Sequence, residues 1–211
     1  MKQILNLEKL KNAKVDATYF PYLTVEQFIN DSELSNVIAD FPKIKVRGSV
    51  PYQALNYGSY FKGLINELLD TNLRSIIAAK FNIDLANTST MITVRGQTNL
   101  RDGAIHTDTP SKLMTLLFYF NQDWQETKGN LRLLKNGTNL DDYFAEITPT
   151  AGKLLIFKVT NNCWHGHYPF IGKRQAIQLN YVTNKAVVAR EVKKHTFSYR
   201  VKKITNFLGI K

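Results

Sequence analysis

Five short runs of apolar and β-branched residues between residues 90 and 182 constrain the fold of this chain more than any other feature. Each run is bounded by turn-forming residues, which is the pattern expected of β-strands. The runs are MITVRG, KLMTLLFYF, NLRLL, GKLLIFKV and RQAIQLNYV. Several short strands separated by turns predict an antiparallel sandwich or barrel.

Helical periodicity dominates the chain before these strands. Thr24 is a candidate helix N-cap, because Gln27 follows three residues later and apolar residues continue at helical spacing up to Pro42. A second helical stretch with regularly spaced apolar residues comes next. Helices followed by strands predict an α+β fold, in which the mainly helical residues 1–89 support a strand-rich core of residues 90–183.

Side chains two positions apart on a strand share a face, so two of the runs predict which residues line a pocket. In RQAIQLNYV, one face is mostly apolar and suits packing against helices. The other face is polar or small and suits a pocket wall; it carries Arg174, Ala176, Gln178 and Asn180. In MTLLFYFN, one face carries Thr115, Leu117, Tyr119 and Asn121.

Length and composition predict one globular domain over residues 1–211. A chain of this size buries roughly 70% of its unfolded surface. Hydrophobic residues make up 44% and charged residues 21%, which excludes a disordered chain. No run approaches the roughly 18 apolar residues of a membrane-spanning helix, and the one cysteine, Cys163, fits a reducing compartment. We therefore predict a cytoplasmic protein.

Positive charge is concentrated at the C-terminal end. The chain carries 28 Lys and Arg against 17 Asp and Glu, a net charge of +11. Residues 184–211 form a basic tail that is predicted to be helical. Such a helix packs its apolar stripe on the domain, the reading we favour, or lies on an anionic membrane surface. The stripe consists of Phe197, Val201, Ile204 and Leu208.

The segment GAIHTDTP has the clearest chemical meaning. His106 and Asp108 are two positions apart in an extended context, so an imidazole and a carboxylate can bind one metal ion. A second histidine has to come from elsewhere, and both His165 and His167 follow the run GKLLIFKV. Two histidines and one carboxylate on one side of a metal are typical of iron(II) enzymes that activate dioxygen.

The segments HTD, GNLRLL, AGKLLIFKV, WHGHYPFIGKR and IQLNYV resemble, in order and spacing, the catalytic core of 2-oxoglutarate and iron(II)-dependent oxygenases. The resemblance is to the prolyl-4-hydroxylase-like branch and covers roughly residues 91–182. It implies that residues 90–183 form a double-stranded β-helix, a jelly-roll or cupin-like barrel. It also implies Fe(II), 2-oxoglutarate and O2 as cofactor and cosubstrates, with ascorbate as a further candidate.

The spacing within this family distinguishes the two histidines. The family places a basic residue nine positions after the distal histidine, where it binds the far carboxylate of 2-oxoglutarate. Nine positions after His165 lies Arg174, whereas nine after His167 lies Ala176. The resemblance thus implies that His165 completes the metal site. A guanidinium suits the cosubstrate role of Arg174, since it binds a carboxylate through two parallel charge-assisted hydrogen bonds.

The same resemblance implies further contacts to the cosubstrate. Tyr119 matches a tyrosine that hydrogen-bonds 2-oxoglutarate, and Leu117 and Leu131 match apolar pocket walls. Gln178 matches a small polar residue beside the arginine. The sequence departs from the branch at Arg95, which stands roughly where a tyrosine is common, so its role is open.

The sequence leaves the substrate undetermined. The basic tail favours hydroxylation of a small metabolite or a cell-envelope sugar, and a protein prolyl hydroxylase is the alternative. A non-oxidative metal- or sugar-binding cupin-like module is the alternative from another class, but it would not need Arg174. No base-stacking cluster is evident, which disfavours a nucleic-acid substrate. Whether His167 or Arg95 contacts the substrate, and the oligomeric state, stay open.

Overall fold

The computed structural model describes residues 2–207, apart from the side chains of Arg200 and of residues 203–207. A 3₁₀ turn at Tyr52–Ala54 interrupts the N-terminal part. The helices are α1 (Leu7–Asn12), α2 (Asp31–Ala39), α3 (Ser59–Leu69), α4 (Thr71–Phe81) and α5 (Lys185–Phe207). The strands are β1 (Tyr22–Val25), β2 (Val50–Pro51), β3 (Ser89–Thr98), β4 (Lys112–Tyr119), β5 (Leu131–Leu134), β6 (Tyr143–Ile147), β7 (Leu154–Lys158), β8 (His165–Gly166) and β9 (Gly172–Val182).

The described strands form two antiparallel sheets. The larger sheet has six strands in the order β1-β7-β4-β9-β3-β2, and the smaller has three in the order β6-β5-β8. All five predicted runs are strands, four of them in the larger sheet and NLRLL at the centre of the smaller one. The predicted mixture of helices with antiparallel sheets is confirmed.

Alternation along the central strands separates two layers of core. On β4, Leu116 and Phe118 pack in a large cluster with the buried apolar residues of helices α1 to α4. Tyr119, on the opposite face, packs in a smaller cluster with Leu131 and Leu133 of β5. This arrangement confirms the predicted faces of β4 and β9, since side chains on neighbouring positions point to opposite sides of a sheet.

The segment around Thr24 shows where tertiary pairing outweighs a local signal. The sequence pattern predicts a helix N-cap at Thr24, but Tyr22–Val25 forms strand β1 and pairs with β7. Leu23 and Val25 are buried while their neighbours are not, as in a half-buried edge strand. Helix α2 begins only at Asp31. The N-cap prediction is therefore wrong, because this segment extends the larger sheet.

Helix α5 lies against strands β2, β3 and β9. Its half-buried side chains include Val192, His195 and Tyr199, which recur at helical spacing. Phe197 and Val201 from the predicted apolar stripe are instead 69% and 43% exposed. The face that packs on the domain is therefore a different one. Of the other stripe residues, Ile204 has a side chain that is not described, and Leu208 lies outside the described residues.

No helix in residues 2–207 combines the length and apolar character needed to cross a membrane.

Candidate active site

A cavity of about 310 Å³ opens between the two sheets. Strands β3, β4 and β9 of the larger sheet line one side, and strands β5 and β8 of the smaller sheet line the other. The loop between β3 and β4, which contains the HTD segment, completes the wall. The cavity is thus lined by the HTD segment, by β8 with His165 and by β9 with Arg174, which the sequence predicts to form the site.

His106 and His165 meet through an antiparallel β-bridge. The backbone N–H of His106 donates to the oxygen of His165 at 3.1 Å, and the N–H of His165 donates to the oxygen of His106 at 3.0 Å. The two ring centroids are 4.3 Å apart. With Asp108 included, one ligand atom from each of the three residues lies within 4.8 Å of the other two. The structure therefore places the three predicted ligands together.

Each imidazole is oriented by its own backbone. His106 Nδ1 lies 2.9 Å from the oxygen of Ala104, and His165 Nδ1 lies 2.8 Å from the oxygen of Cys163. A carbonyl accepts from Nδ1–H, which leaves Nε2 unprotonated and available to bind a metal ion. Burial, and then the charge of His106, lowers the pKa of His165 to about 4. Its ring is neutral at physiological pH, as a metal ligand has to be.

Both oxygens of Asp108 accept hydrogen bonds from the protein. Lys112 Nζ donates to Oδ1 at 2.6 Å, and the Thr115 hydroxyl donates to Oδ2 at 2.5 Å. Asn180 Nδ2 donates in turn to the Thr115 oxygen at 2.7 Å. Burial acts to raise the pKa of Asp108, but the charge of Lys112 and the hydrogen bonds from Lys112 and Thr115 help to outweigh it, so the pKa lies below its usual value. The carboxylate is thus ionised and fixed in orientation.

The Thr115 hydroxyl should tune how strongly the cluster binds iron. We expect Thr115→Val to weaken Fe(II) binding by about tenfold, because partners that orient a metal-binding carboxylate contribute on the order of 10- to 100-fold in affinity. Anaerobic titration with Fe(II) measures this change. Thr93→Val is the matched control, since Thr93 is also buried on the cavity wall. Equal affinities in the two variants would argue against a role for Thr115.

Arg174 is a buried cation with an unused donor. Its side chain extends from β9 into the cavity wall, and its Nε donates to the backbone oxygen of Gly129 at 3.1 Å. Its guanidinium carbon lies 5.3 Å from the ring centroid of Tyr119. Arg174 and Tyr119 are close enough to influence each other's pKa, yet neither Arg174 Nη2 nor Tyr119 Oη has a hydrogen-bond partner of good geometry among the described residues.

Burial raises the pKa of the Tyr119 hydroxyl, so the group stays protonated. Burial also lowers the pKa of Arg174, although the guanidinium remains a cation at physiological pH. A buried cation with an unpaired N–H is costly unless an anion accepts from it. The pair therefore fits a carboxylate ligand, which can accept from the guanidinium and the phenol together.

The remaining residues implied by the resemblance occupy different positions around the cavity. Leu117, Leu131 and Gln178 line it, whereas Tyr119 is fully buried behind the wall. Gln178 Nε2 donates to Asn180 Oδ1 at 3.1 Å, rather than to Arg174. His167 also lines the cavity but is not part of the three-residue cluster.

Sequence patterns gave little warning of several residues at this site. Lys112, the first residue of β4, follows Asp108 by four positions across a turn, where no regular spacing relates the two side chains. Asp102 and Arg101 lie in the same loop and line the cavity. Thr115 shares a strand face with Leu117, so the alternation along β4 was the one available signal.

Two histidines at the site make the metal-free protein sensitive to acid. The pKa of His165 and that of His167 are each lowered from 6.5 to about 4, mainly by burial. A folded-state pKa below the unfolded value means that the unfolded chain binds more protons. The free energy of unfolding is therefore at its full value above pH 6.5, where both histidines are neutral in the folded and unfolded chain. It decreases as the pH falls from 6.5 toward 4, because the unfolded chain then takes up protons that the folded protein does not.

We expect the free energy of unfolding of the metal-free protein to be lower at pH 5 than at pH 7.5, by roughly 2 kcal/mol for each histidine. Urea denaturation at the two pH values measures the difference. A His167→Gln variant should lose part of the pH dependence. A variant as acid-sensitive as the wild type would show that His167 is not held neutral by the fold.

Comparison with known proteins identifies the class of this site. The family model described as the 2OG-Fe(II) oxygenase superfamily matches residues 97–182, a segment that includes His106, Asp108, His165 and Arg174. No match is found among curated protein sequences.

Solved structures of prolyl hydroxylases share the fold. A Pseudomonas putida prolyl-4-hydroxylase aligns with a TM-score of 0.57 and 17% identity, over 80% of this chain and 95% of its own. A Trichoplax adhaerens prolyl hydroxylase in complex with a hypoxia inducible factor peptide aligns with a TM-score of 0.53 and 18% identity, over 83% of this chain and 88% of its own. The viral collagen prolyl hydroxylase of Paramecium Bursaria Chlorella virus-1, in a 2OG complex, aligns with a TM-score of 0.53 and 16% identity, over 81% of this chain and 98% of its own.

Residues 97–182 thus match the 2OG-Fe(II) oxygenase superfamily. The protein is an enzyme, a dioxygenase that uses Fe(II), 2-oxoglutarate and O2, and its structural neighbours are prolyl-4-hydroxylase-like. The predictions of family, enzyme class and these cofactors are confirmed. Ascorbate stays a prediction.

Proposed function

We propose that His106, Asp108 and His165 bind the catalytic Fe(II) of this oxygenase. The donor set supports this assignment, because two imidazoles and one carboxylate on one side of a metal leave positions open for cosubstrate and O2. The backbone carbonyls behind the two rings leave each Nε2 available as a ligand. Asp108 retains lone pairs for a metal beyond those that accept from Lys112 and Thr115.

We propose that Arg174 binds the carboxylate of 2-oxoglutarate that lies far from the metal. One observation carries this proposal: a buried arginine with an unpaired Nη2 lines the same cavity as the histidine and aspartate cluster. The phenol of Tyr119 offers a second donor to that carboxylate, and Leu117 and Leu131 form apolar walls. A cupin-like module that only binds a metal or a sugar has no use for this buried cation.

When bound, iron, 2-oxoglutarate and O2 would supply the oxidation chemistry: one oxygen atom of O2 enters succinate as 2-oxoglutarate loses CO2, and the other converts a substrate C–H to C–OH. The protein contributes positioning and a shaped cavity. His106 and His165 hold their rings in one tautomer, Lys112 and Thr115 keep Asp108 ionised and oriented, and the walls between the sheets restrict access of water.

The two antiparallel sheets are proposed to be the facing halves of a double-stranded β-helix, with α1 to α4 as its outer support. The cavity between the sheets and the burial of β4 side chains on both faces support this reading. The two ligand histidines then come from β8 and from the loop between β3 and β4.

The substrate of the hydroxylation is proposed to be a small metabolite or a cell-envelope sugar, as the basic chain favours. A prolyl residue in a protein is the second candidate, supported by a structural neighbour that is in complex with a peptide. Iron-loaded protein should form succinate from 2-oxoglutarate, and the true substrate class should stimulate it. The assay is a screen of glycans, free amino acids and proline peptides. No iron-dependent succinate under any condition would reject the function.

Contact of α5 with an anionic membrane is a further proposal. The exposed Phe197 and Val201 lie on a face that also carries the exposed Arg190, Lys193 and Lys194. A basic helix with exposed apolar side chains can lie at a membrane interface. The wild-type protein should sediment with phosphatidylglycerol vesicles, whereas a Phe197→Ser/Val201→Ser double variant should remain in solution. Equal sedimentation of both proteins would reject the contact.

A further inference from the structure

The β4–β5 loop (residues 120–130) packs against the strand that carries Arg174. Near its start, Asn121 Oδ1 accepts from the backbone N–H of Gln175 at 2.6 Å, and Asn121 Nδ2 donates to the backbone oxygen of Gln175 at 3.1 Å. Near its end, the backbone oxygen of Gly129 accepts from Arg174 Nε at 3.1 Å. The loop therefore contacts two consecutive residues of β9, one through its backbone and the other through its guanidinium.

The position of Gly129 is fixed by its backbone conformation and by two aromatic rings. Its φ is +86°, in the left-handed region that favours glycine, and a Cβ at this position would overlap the ring of Phe170. Phe170 is 7% exposed, and its ring centroid lies 5.4 Å from that of Trp124 in an edge-to-face contact. Trp124 Nε1 donates to Asn130 Oδ1 at 3.0 Å. The Gly129 carbonyl therefore has little freedom to move away from Arg174.

The contact at Nε fixes the rest of the Arg174 guanidinium. A guanidinium is planar, so one engaged N–H sets the directions of its other donors. With Nε–H bound to Gly129, the donors of Nη1 and Nη2 are left for other partners, and Nη2 is buried without one among the described residues. A dicarboxylate that reaches from the histidine and aspartate cluster to this fork therefore has to match a fixed span.

We infer that Gly129 is a positioning residue for the cosubstrate, whose carbonyl fixes the Arg174 guanidinium so that the cavity accepts 2-oxoglutarate in preference to its longer homologue 2-oxoadipate. This inference rests on the proposed role of Arg174 and adds to it how the length of the cosubstrate is selected. Gly129 and Phe170 do not line the cavity, so they act through Arg174 rather than by touching the cosubstrate. A guanidinium that is already ordered loses little freedom when a carboxylate binds.

Gly129→Ala should weaken the binding of 2-oxoglutarate to the iron-loaded protein. The new Cβ meets Phe170 and displaces the carbonyl from Arg174 Nε. We expect the Kd of 2-oxoglutarate to rise about tenfold, as for the loss of one hydrogen bond to a charged group. The preference for 2-oxoglutarate over 2-oxoadipate should fall about fivefold or more, since one methylene then fits more easily. Anaerobic calorimetry measures both values, and the Kd of Fe(II) should stay that of the wild type.

A double-mutant cycle separates positioning of Arg174 from a general effect on the fold. Arg174→Lys removes the Nε–H donor and the planar fork. In that background, Gly129→Ala should leave the Kd of 2-oxoglutarate unchanged, because the contact it disrupts is already absent. Gly152→Ala is the matched control for backbone strain. Gly152 has a φ of +82°, and the nearest atom to a Cβ there would be 3.7 Å away. This variant should bind both dicarboxylates as the wild type does.

The possible results are distinguishable. If Gly129→Ala does not fold, Phe170→Leu tests the same contact, because a shorter side chain lets Gly129 move, and it should lower the preference for 2-oxoglutarate. An unchanged preference in a folded Gly129 or Phe170 variant would overturn the inference. An equal rise in Kd with and without Arg174→Lys would also overturn it, since Gly129 would then act on the fold. Absence of iron-dependent 2-oxoglutarate binding in the wild type would instead reject the proposed function.

Discussion

Replacement of His106 by Ala should abolish iron-dependent conversion of 2-oxoglutarate to succinate, with a loss of more than about 100-fold. The expectation follows from the cluster of His106, Asp108 and His165, whose ligand atoms lie within 4.8 Å of one another. Loss of a residue that only orients a ligand already costs about 10- to 100-fold, so loss of the ligand itself should cost more. Iron content after anaerobic reconstitution and the rate of succinate formation are the two measurements.

A histidine outside the cavity provides the control. His195 lies on α5 and does not line the cavity, so His195→Gln should bind iron and form succinate as the wild type does. Equal turnover by His106→Ala and the wild type would remove His106 from the metal site. Equal losses in the His106 and His195 variants would indicate a defect in folding rather than in metal binding.

Replacement of Arg174 by Met should raise the KM for 2-oxoglutarate by roughly 100-fold while iron binding is retained. A bidentate pair of charge-assisted hydrogen bonds contributes about 3 kcal/mol, which corresponds to a change in affinity of that size. Arg174→Lys keeps the charge but loses the planar fork, so we expect an intermediate KM. Steady-state kinetics at saturating iron separates the effect on KM from the effect on kcat.

The neighbouring residue is a close control for charge. Lys173 is exposed on the other face of β9, so Lys173→Met removes the same charge without reaching the cavity. Its KM for 2-oxoglutarate should equal that of the wild type. A similar rise in KM in both variants would mean that the net charge of the protein, rather than the fork of Arg174, attracts the cosubstrate.

The strands and the candidate ligands could be predicted because their signals are local. Burial on one face of a strand imposes a period of two, which marks β4 and β9 and places Leu117, Arg174 and Gln178 toward the cavity. The spacing of His106 and Asp108 is likewise a property of one short segment. These features required no knowledge of how the sheets meet.

Strands too short to show an alternating pattern could not be predicted from the sequence. The two-residue strand β8 contains His165, and only its pairing with β5 and its bridge to His106 define it as a strand. Strand β1 carries a helix-capping pattern but completes the edge of the larger sheet. Pairing with a distant partner decides such segments, since they are too short to show a pattern of their own.

By itself, the sequence determined the α+β class, the strand faces and the chemical identity of the predicted ligands. These features depend on the alternation of apolar residues and on motif spacing, which are properties of short segments of the chain. Only the tertiary structure decided that His165 faces His106 and that Thr115 and Lys112 hold Asp108. These contacts join residues whose approach depends on strand register. No local pattern encodes that geometry, since it arises only when the two sheets pack together.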